Sequence, residues 1–337
     1  MNCPCLPTPA QFELLPFAHS WVALHPAPKG VIQFVGSRLL GAFPTLAYRH
    51  FLKSLFEAGY TIVAFPFRFA RNHWSVALNL LDEHYAVRAA LMEAAVAKGY
   101  STAVYLEAKN YTWVGHGLGC KYVLLLEILS LPMDELSAQL QTLGQEISLA
   151  AERQLRQGLA CIQTSLGYLE RRIWQLTGQA ISYGKPSIKD EASLLLAPVV
   201  ADNGARLERV CGSLLTMRPS VNHTHALIEQ SQLFHLTGLL QFARDRTAAD
   251  TCHQLMQEQT HLRRRLLKGN HLEPVGIQIG PLVVDFNPLD KFIQPLENRD
   301  LELKALAFLE RLRHVPPAFS RQSRRAAVHK KHPSIAA

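Results

Sequence analysis

The segment from Tyr111 to Leu126 constrains the fold more than any other part of the sequence. A short β-rich run, 111–114, meets glycines at three alternate positions, Gly115, Gly117 and Gly119, and a helical apolar run follows at once. Strand, very tight turn and helix in this order predict a nucleophile elbow, the G-x-S-x-G turn that presents a catalytic serine at the end of a strand. The position of that serine is occupied by Gly117.

The composition of the 337 residues fits a large α/β protein with a sizeable buried core, since 48% of them are hydrophobic and 18% are charged. Most of the net charge of +8 comes from two places, the arginines of 263–265 with Lys268, and the segment 321–331. A nucleic-acid groove would spread basic residues over a face with interleaved aromatic residues. The clusters are therefore interpreted as solvated charge, and no specific nucleic-acid partner is predicted.

The six cysteines are scattered, and only Cys3 and Cys5 lie close together, which is too few ligands for a zinc site. Scattered cysteines in a large chain suggest a reducing compartment. Residues 1–17 lack the basic start of a secretory signal, and no uncharged stretch reaches the length of a transmembrane helix. A cytoplasmic protein without a metal is the expectation.

Three strand–helix units follow one another in the first part of the chain, which predicts a mostly parallel sheet with right-handed crossovers. Later apolar runs predict two more strands and a closing helix. The predicted strands are 31–35, 60–65, 111–114, 192–197 and 236–243, and the predicted helices include 45–58, 74–98, the elbow helix to about 130, 247–267 and 300–313.

An all-helical stretch interrupts this alternation and defines the domain organisation. Its long segment 145–176 is amphipathic, and the insertion is interpreted as a cap, with an interaction arm as the alternative. The predicted domains are an irregular segment 1–20, an α/β core made of 21–130 and 190–315, the helical insertion 131–189, and a basic disordered tail 316–337.

The three positions of a hydrolase triad occur in the order nucleophile, acid and histidine. Gly117 stands at the nucleophile position, Asp245 follows a late strand with Asp250 as a substitute, and His271 lies in a loop before the last helix. Each of these residues alone is more often structural. The ordered trio behind an elbow-like turn predicts a site geometry.

The missing hydroxyl changes the predicted chemistry, because glycine cannot attack a carbonyl. The backbone N–H groups of Leu118 and of the Gly36–Ser37 loop are predicted to form an oxyanion or ligand-binding pocket. Ser37 and Cys120 are the other candidate nucleophiles, and the spacing of Cys120 points it away from the pocket. His116 is assigned a structural role.

A water activated by the histidine and the acid is a further route. The glycine spacing is G-x-G-x-G, which differs from the G-x-G-x-x-G of dinucleotide-binding turns, so no cofactor is predicted.

Several blocks resemble, in order and spacing, a family catalogued as domain of unknown function 1350, which occurs in cyanobacteria and plant plastids. The blocks are Phe34–Ser37 with Gly41–Pro44, Tyr60–Pro66, Gly115–Lys121, Ala192–Pro198 and Gly269–Leu272. The resemblance covers about 21–313 and implies the α/β-hydrolase fold with an esterase or lipase-like activity. Members of that family carry Gly-His-Ser in the turn, so the resemblance maps the serine onto Gly117, the histidine onto His271 and the acid onto Asp245.

Three functions are consistent with the sequence. The first is a hydrolase-like protein without its serine nucleophile that binds a small apolar acyl or ester-like ligand without efficient turnover. The second is an active carboxylic-ester hydrolase that uses water or an unorthodox nucleophile. The third is an interaction protein that binds a partner through 131–189.

Overall fold

The structure, a computed structural model, describes residues 10–68, 70–143, 145–200, 218–231, 236–259, 262–284, 293–295 and 299–313. Eight strands form the main sheet: β1 (Leu15–Phe17), β2 (Ser20–Ala23), β3 (Gly30–Val35), β4 (Tyr60–Phe65), β5 (Tyr111–His116), β6 (Ala192–Leu196), β7 (Thr237–Phe242) and β8 (Arg263–Leu267). A small antiparallel sheet contains β9 (Ile277–Ile279), β10 (Leu282–Val284) and β11 (Ile293–Pro295).

The helices fill the connections between these strands. They are α1 (Pro44–Ala47), α2 (Arg49–Glu57), α3 (His73–Ala97), α4 (Ala103–Leu106), α5 (Leu118–Leu129), α6 (Met133–Gln141), α7 (Gln145–Thr177), α8 (Val221–Gln230), α9 (Ala249–Glu258) and α10 (Leu301–Arg313). The predicted helix 45–58 is divided into α1 and α2, and the prediction for 74–98 corresponds to α3.

The strand order of the main sheet is β1-β2-β4-β3-β5-β6-β7-β8. Strands β4, β3, β5, β6, β7 and β8 run parallel, whereas β1 and β2 are antiparallel to their neighbours. This is the mostly parallel sheet that the alternating strands and helices predict. The carboxyl ends of the parallel strands lie at one edge, so the loops that leave these ends meet there.

The core occupies both faces of the sheet, because successive side chains of a strand point to opposite faces. Phe34 of β3 packs against the rings of Tyr48 and Phe51, on one face. Its neighbour Gln33 contacts His84 of α3 on the other. All residues of β3, β4 and β5 are buried, as expected for central parallel strands.

The run 247–267 is not the single helix that its sequence predicts. Helix α9 ends at Glu258, and Arg263–Leu267 form β8, the last strand of the sheet. Four of its five residues are exposed or half-buried, so it lacks the apolar pattern of a core strand. Within the segment 1–20, predicted to be irregular, Leu15–Phe17 form β1. The predicted tail 316–337 lies outside the described residues.

The helical insertion packs mainly on α3. The apolar side of α7 is buried along its length, at Leu155, Ile162, Leu166, Leu169 and Ile173. Polar contacts follow the same interface, as between Ser165 and Asp82 and between Arg172 and Glu93. The amphipathic face thus packs within the chain, and the assignment of 131–189 as a cap or an interaction arm stays a prediction.

Candidate active site

The turn after β5 is the centre of the candidate site. Strand β5 ends at His116 and α5 begins at Leu118, so Gly117 alone makes the turn. Its φ of 55° and ψ of −118° are free to glycine, whereas a residue with a Cβ is strained there by about 1–3 kcal/mol. A Cβ on Gly119 would lie 2.2 Å from the carbonyl oxygen of Val35, so only glycine lets α5 approach the end of β3 this closely.

Asp245 and His271 form a hydrogen-bonded pair beside this turn. His271 Nδ1 donates to Asp245 Oδ2 at 2.9 Å, because an ionised carboxylate can only accept. Asp245 Oδ1 accepts the N–H groups of Thr247 and Ala248 at 2.8 and 3.0 Å. The Asp245 side chain is fully buried and that of His271 is 19% exposed. The carboxylate is therefore fixed, and Nε2 is the ring nitrogen that faces away from it.

His271 Nε2 faces the turn. It lies 3.4 Å from the point that a Cβ on Gly117 would occupy. The fold thus brings together Gly117, Asp245 and His271, the three residues that the sequence orders as a triad. Asp250, the substitute acid, is exposed in the first turn of α9. An imidazole in this position can accept a proton from a hydroxyl group or a water molecule next to the turn.

The environment keeps the acid of the pair ionised. Burial by itself raises the pKa of Asp245, but the hydrogen bond and charge of His271 and the N–H groups of Ala248 and Thr247 outweigh it. The pKa of Asp245 is therefore lowered. An ionised Asp245 holds the imidazole in one orientation and stabilises the imidazolium that forms when Nε2 takes a proton.

A chain of hydrogen bonds links the loop after β3 to the backbone of His271. The N–H group of Ser37 donates to Tyr48 Oη at 2.8 Å, which lies 2.8 Å from His116 Nδ1. His116 Nε2 lies 2.8 Å from the carbonyl oxygen of His271. Because a carbonyl only accepts, Nε2 of His116 carries the proton and the Tyr48 hydroxyl donates to Nδ1. The chain connects two loops far apart in sequence.

This chain is electrically neutral. Burial, assisted by repulsion from His271, lowers the pKa of His116 to about 3, so its ring stays uncharged. Burial also raises the pKa of Tyr48, which keeps its hydroxyl protonated. The two side chains therefore position loops. Tyr48, between α1 and α2, was not among the residues singled out from the sequence.

The three residues that the sequence predicts to bind an oxyanion differ in their contacts. The Ser37 N–H group is hydrogen-bonded to Tyr48, so it is directed away from the predicted role as an oxyanion donor. A Cβ on Gly36 would lie 2.7 Å from the Tyr48 ring, which makes Gly36 a packing position. Leu118 is the first residue of α5, where an N–H group has no intrahelical acceptor and the helix dipole favours negative charge.

Cys120 is no candidate nucleophile. Its side chain is fully buried, and Sγ contacts the carbonyl oxygen of Leu196 at 3.4 Å. Burial raises the pKa of the thiol well above its ordinary value, which disfavours the reactive thiolate. This agrees with the spacing argument, which directs Cys120 away from the pocket.

An open groove of about 1180 Å³ runs along the exposed side of the pair. Its lining includes Asp245 and His271 and combines apolar side chains with arginines, namely Phe242, Leu266, Leu272, Arg244, Arg246 and Arg264. The groove is thus more basic than the apolar pocket expected for a small acyl ligand. Within the described residues no three His, Cys, Asp or Glu side chains are grouped as a metal site would require. No helix of the described part is long and apolar enough to cross a membrane.

Comparisons with known proteins place this geometry in context. The family described as protein of unknown function DUF1350 matches residues 16–138. No curated protein matches the sequence. Similar solved structures include a carboxylesterase from Lactobacillus plantarum (12% identity, 89% of this chain and 96% of that chain, TM-score 0.46) and an esterase from Thermogutta terrifontis (12%, 91% and 97%, 0.45).

The fold assignment follows from the strand order, with β2 antiparallel, and from the strand–turn–helix at Gly117. The positions of Asp245 after β7 and of His271 after β8 complete the pattern. The chain has the α/β-hydrolase fold, and its residues 16–138 match DUF1350.

Proposed function

We propose that the protein hydrolyses carboxylic esters at the edge of the sheet between Gly117 and the Asp245–His271 pair. The observation that carries this proposal is the pair itself. Its buried carboxylate holds Nδ1 at 2.9 Å, and Nε2 lies 3.4 Å from the position of a side chain on Gly117. A site that only binds a ligand needs no imidazole whose tautomer is fixed by a buried carboxylate, whereas a general base does.

The expected reaction is acyl transfer to water. His271 Nε2 removes a proton from the attacking oxygen, and the N–H group of Leu118 at the start of α5 stabilises the oxyanion that develops on the carbonyl. The arginines of the groove suggest that an ester with a negative charge binds better than a neutral one.

The test is a panel of fluorogenic esters with short, medium and long acyl chains, each in a neutral and a carboxylate-bearing form. The parent chain, His271→Ala and Asp245→Asn are compared with His225→Ala. His225 forms a second histidine–carboxylate pair with Glu258, at 3.1 Å between α8 and α9, and serves as a matched control. Turnover that His271→Ala abolishes and His225→Ala preserves supports the proposal.

Gly117 favours a second candidate function, which is binding of an acyl or ester-like ligand without turnover. A glycine there removes the usual nucleophile and relaxes the turn. If no ester of the panel is turned over, and a non-hydrolysable ketone analogue of an ester still binds in calorimetry, this second function replaces the first.

A further inference from the structure

We propose that the nucleophile of this site is the hydroxyl group of Ser37, on the loop after β3, and that it acts in place of a serine in the elbow. This inference rests on the proposed ester hydrolysis and names the residue that forms the covalent intermediate.

The position of the Ser37 side chain carries the inference. A Cβ on Gly117 would lie 2.5 Å from Ser37 Oγ and 3.0 Å from Ser37 Cβ. The Ser37 side chain therefore fills the space that a side chain at position 117 would take. His271 Nε2 lies 3.4 Å from the same point. A hydroxyl group and the proposed general base thus converge on the place where an elbow serine would begin.

The backbone around Ser37 fixes this side chain. Its N–H group donates to Tyr48 Oη at 2.8 Å, and its carbonyl oxygen accepts the N–H group of Gly41. On the other side, Val35 is held in register with Gly115 at the end of β5. Because the loop is held at both peptide groups of Ser37, the hydroxyl is presented from a fixed backbone, as a nucleophile requires.

The proposal also explains the role of the hydrogen-bonded chain through Tyr48 and His116. It ties the Ser37 N–H group to the carbonyl oxygen of His271 through two buried, neutral side chains. The two residues that must meet in the reaction are thereby held to each other by their backbones. Between the side chains of Ser37 and His271 no hydrogen bond is formed, so a small shift of the hydroxyl toward Nε2 completes the pair.

The reaction then proceeds in two balanced steps. Ser37 Oγ bonds to the acyl carbon of the ester while its proton passes to His271 Nε2, and the carbonyl electron pair moves onto oxygen near the Leu118 N–H group. The electron pair returns, the bond to the alkoxy oxygen breaks, and the alcohol leaves with the proton of His271. In the second step a water molecule gives one proton to His271 Nε2 while its oxygen bonds to the acyl carbon. The bond from that carbon to Ser37 Oγ then breaks, and His271 returns the proton to Oγ, which releases the carboxylic acid and restores Ser37.

The competing nucleophiles fit the structure less well. Cys120 is fully buried, and its thiol pKa is raised. A water molecule activated directly by His271 would compete for the volume that the Ser37 side chain fills next to Gly117. A hydroxyl held by the protein also avoids the entropy that fixing a free water requires.

A fluorophosphonate probe tests the assignment on the full chain, with the labelled peptide identified by mass spectrometry. We expect label on the peptide that contains Ser37 and no label in Ser37→Ala or His271→Ala. Ser165→Ala, which changes a serine on the surface of α7, is the matched control and should label like the parent. Ester turnover by Ser37→Ala should fall on the order of 10³-fold or more, and circular dichroism verifies its fold.

Further variants distinguish the loss of a nucleophile from a folding defect in Ser37→Ala. Gly117→Ser alone places its Cβ against Ser37 Oγ, whereas Ser37→Gly combined with Gly117→Ser clears the space. In the double variant the label should move to the peptide that contains position 117, and turnover should recover at least tenfold over Ser37→Gly alone.

The outcomes separate this inference from the proposed function. If Ser37→Ala keeps parental turnover that His271→Ala abolishes, ester hydrolysis stands and Ser37 is not the nucleophile. Label on any residue other than Ser37 in the parent overturns the assignment in the same way. If the parent protein shows neither ester turnover nor fluorophosphonate label, both proposals are wrong.

Discussion

Two of the histidine–carboxylate pairs in the described part of this protein differ in their surroundings, the outer pair of Asp245 with His271 and the inner pair of Glu191 with His84. Asp245 and His271 are 2.9 Å apart at the carboxyl edge of the sheet, whereas Glu191 and His84 are 3.3 Å apart within the core. Both side chains of the inner pair are completely buried, and His271 keeps 19% of its surface exposed. The same two chemical groups thus occupy opposite environments.

The pairs differ most in what surrounds the ring and the carboxylate. His84 Nδ1 lies 2.5 Å from Gln33 Oε1, and its Nε2 faces Glu191. Glu191 also accepts from Trp113 at 2.7 Å and lies 3.7 Å from Arg88. In the outer pair Nε2 of the ring lies 3.4 Å from the point where a Cβ on Gly117 would stand, next to the Ser37 side chain. A histidine can act as a base for a substrate only when one ring nitrogen faces the place where the substrate binds. His84 is enclosed in the core and is therefore structural, whereas His271 is placed for the proposed reaction.

His271→Ala should break the outer pair with the largest effect. We expect turnover of the best ester in the panel to fall by about 10²–10⁴-fold, because a general base is removed. The free energy of unfolding should fall by about 1–3 kcal/mol, because the buried Asp245 carboxylate loses one hydrogen bond and keeps those from Thr247 and Ala248. Steady-state kinetics and urea unfolding measure the two quantities. A large loss of stability with normal kinetics would mean that the pair is structural, like the inner one.

Glu191→Ala should break the inner pair. Burial by itself raises the pKa of Glu191, but the charges of His84 and Arg88 and the hydrogen bonds of His84 and Gln33 outweigh it. The pKa is therefore lowered, and the carboxyl group is ionised. Its removal leaves the charge of Arg88 buried between the rings of Tyr111 and Tyr183.

The expected loss is about 3–5 kcal/mol of unfolding free energy, measured by urea unfolding. Glu310→Ala is the matched control, because Glu310 pairs with Lys29 at 2.5 Å but is 40% exposed, and should lose about 1 kcal/mol or less. Equal losses of unfolding free energy in Glu191→Ala and Glu310→Ala would contradict the conclusion that the buried ion pair is the more important of the two for stability.

Tyr48→Phe removes hydrogen bonds beside the outer pair and leaves the inner pair unchanged. The ring remains, but the Ser37 N–H group and His116 Nδ1 lose their shared partner. We expect a loss of about 1–3 kcal/mol in unfolding free energy, and turnover should decrease because Ser37 and His271 are no longer held together. Phe51→Leu, on the same face of the core, is the control for packing. Normal turnover in Tyr48→Phe would show that the chain does not position the site.

Glu127→Gln should have the smallest effect, and its effect depends on pH. Burial, partly offset by the hydroxyl of Ser193 and increased by Glu191, raises the pKa of Glu127 from 4.5 to about 8. A raised pKa in the folded state means that this carboxyl group stabilises the fold most at low pH. The contribution is lost as the pH rises from the ordinary value of 4.5 to about 8, where the folded state also loses its proton.

At pH 5, close to the ordinary pKa of 4.5, the variant should differ from the parent by about 1 kcal/mol or less. Above pH 8 the variant should be the more stable of the two, because the parent then carries a buried charge. Unfolding curves from pH 5 to about pH 9 test this sign. Parallel pH profiles of the two proteins would place the Glu127 pKa near its ordinary value.

The sequence predicts the part of the site that is local. The elbow, the three strand–helix units and the order of Gly117, Asp245 and His271 follow from short patterns, and the structure brings these residues together. The prediction of a helix through 263–267 is wrong, because the arginines of β8 give no alternation of apolar and polar residues. The small sheet of β9, β10 and β11 consists of three-residue strands, which are too short to show a period.

The contacts that decide the chemistry are not local, and the sequence gives no sign of them. Ser37 meets the turn at Gly117 only because β3 and β5 are paired neighbours in the sheet. Tyr48 contacts His116 across 68 positions of the chain. The sequence makes Ser37 a candidate nucleophile, but only the three-dimensional structure shows its side chain in the space beside Gly117.

The two edge strands of the main sheet affect how copies of this protein can associate. An outermost strand offers unpaired backbone groups to a strand of another molecule. At one end of the order β8 carries Arg263, Arg264 and Arg265 in succession, and at the other end β1 carries Pro16, which has no N–H group to donate. The positive charges of β8 repel the same strand of another copy, and β1 lacks one N–H donor for a further strand. Both features oppose the addition of a strand and therefore oppose aggregation through the sheet edges.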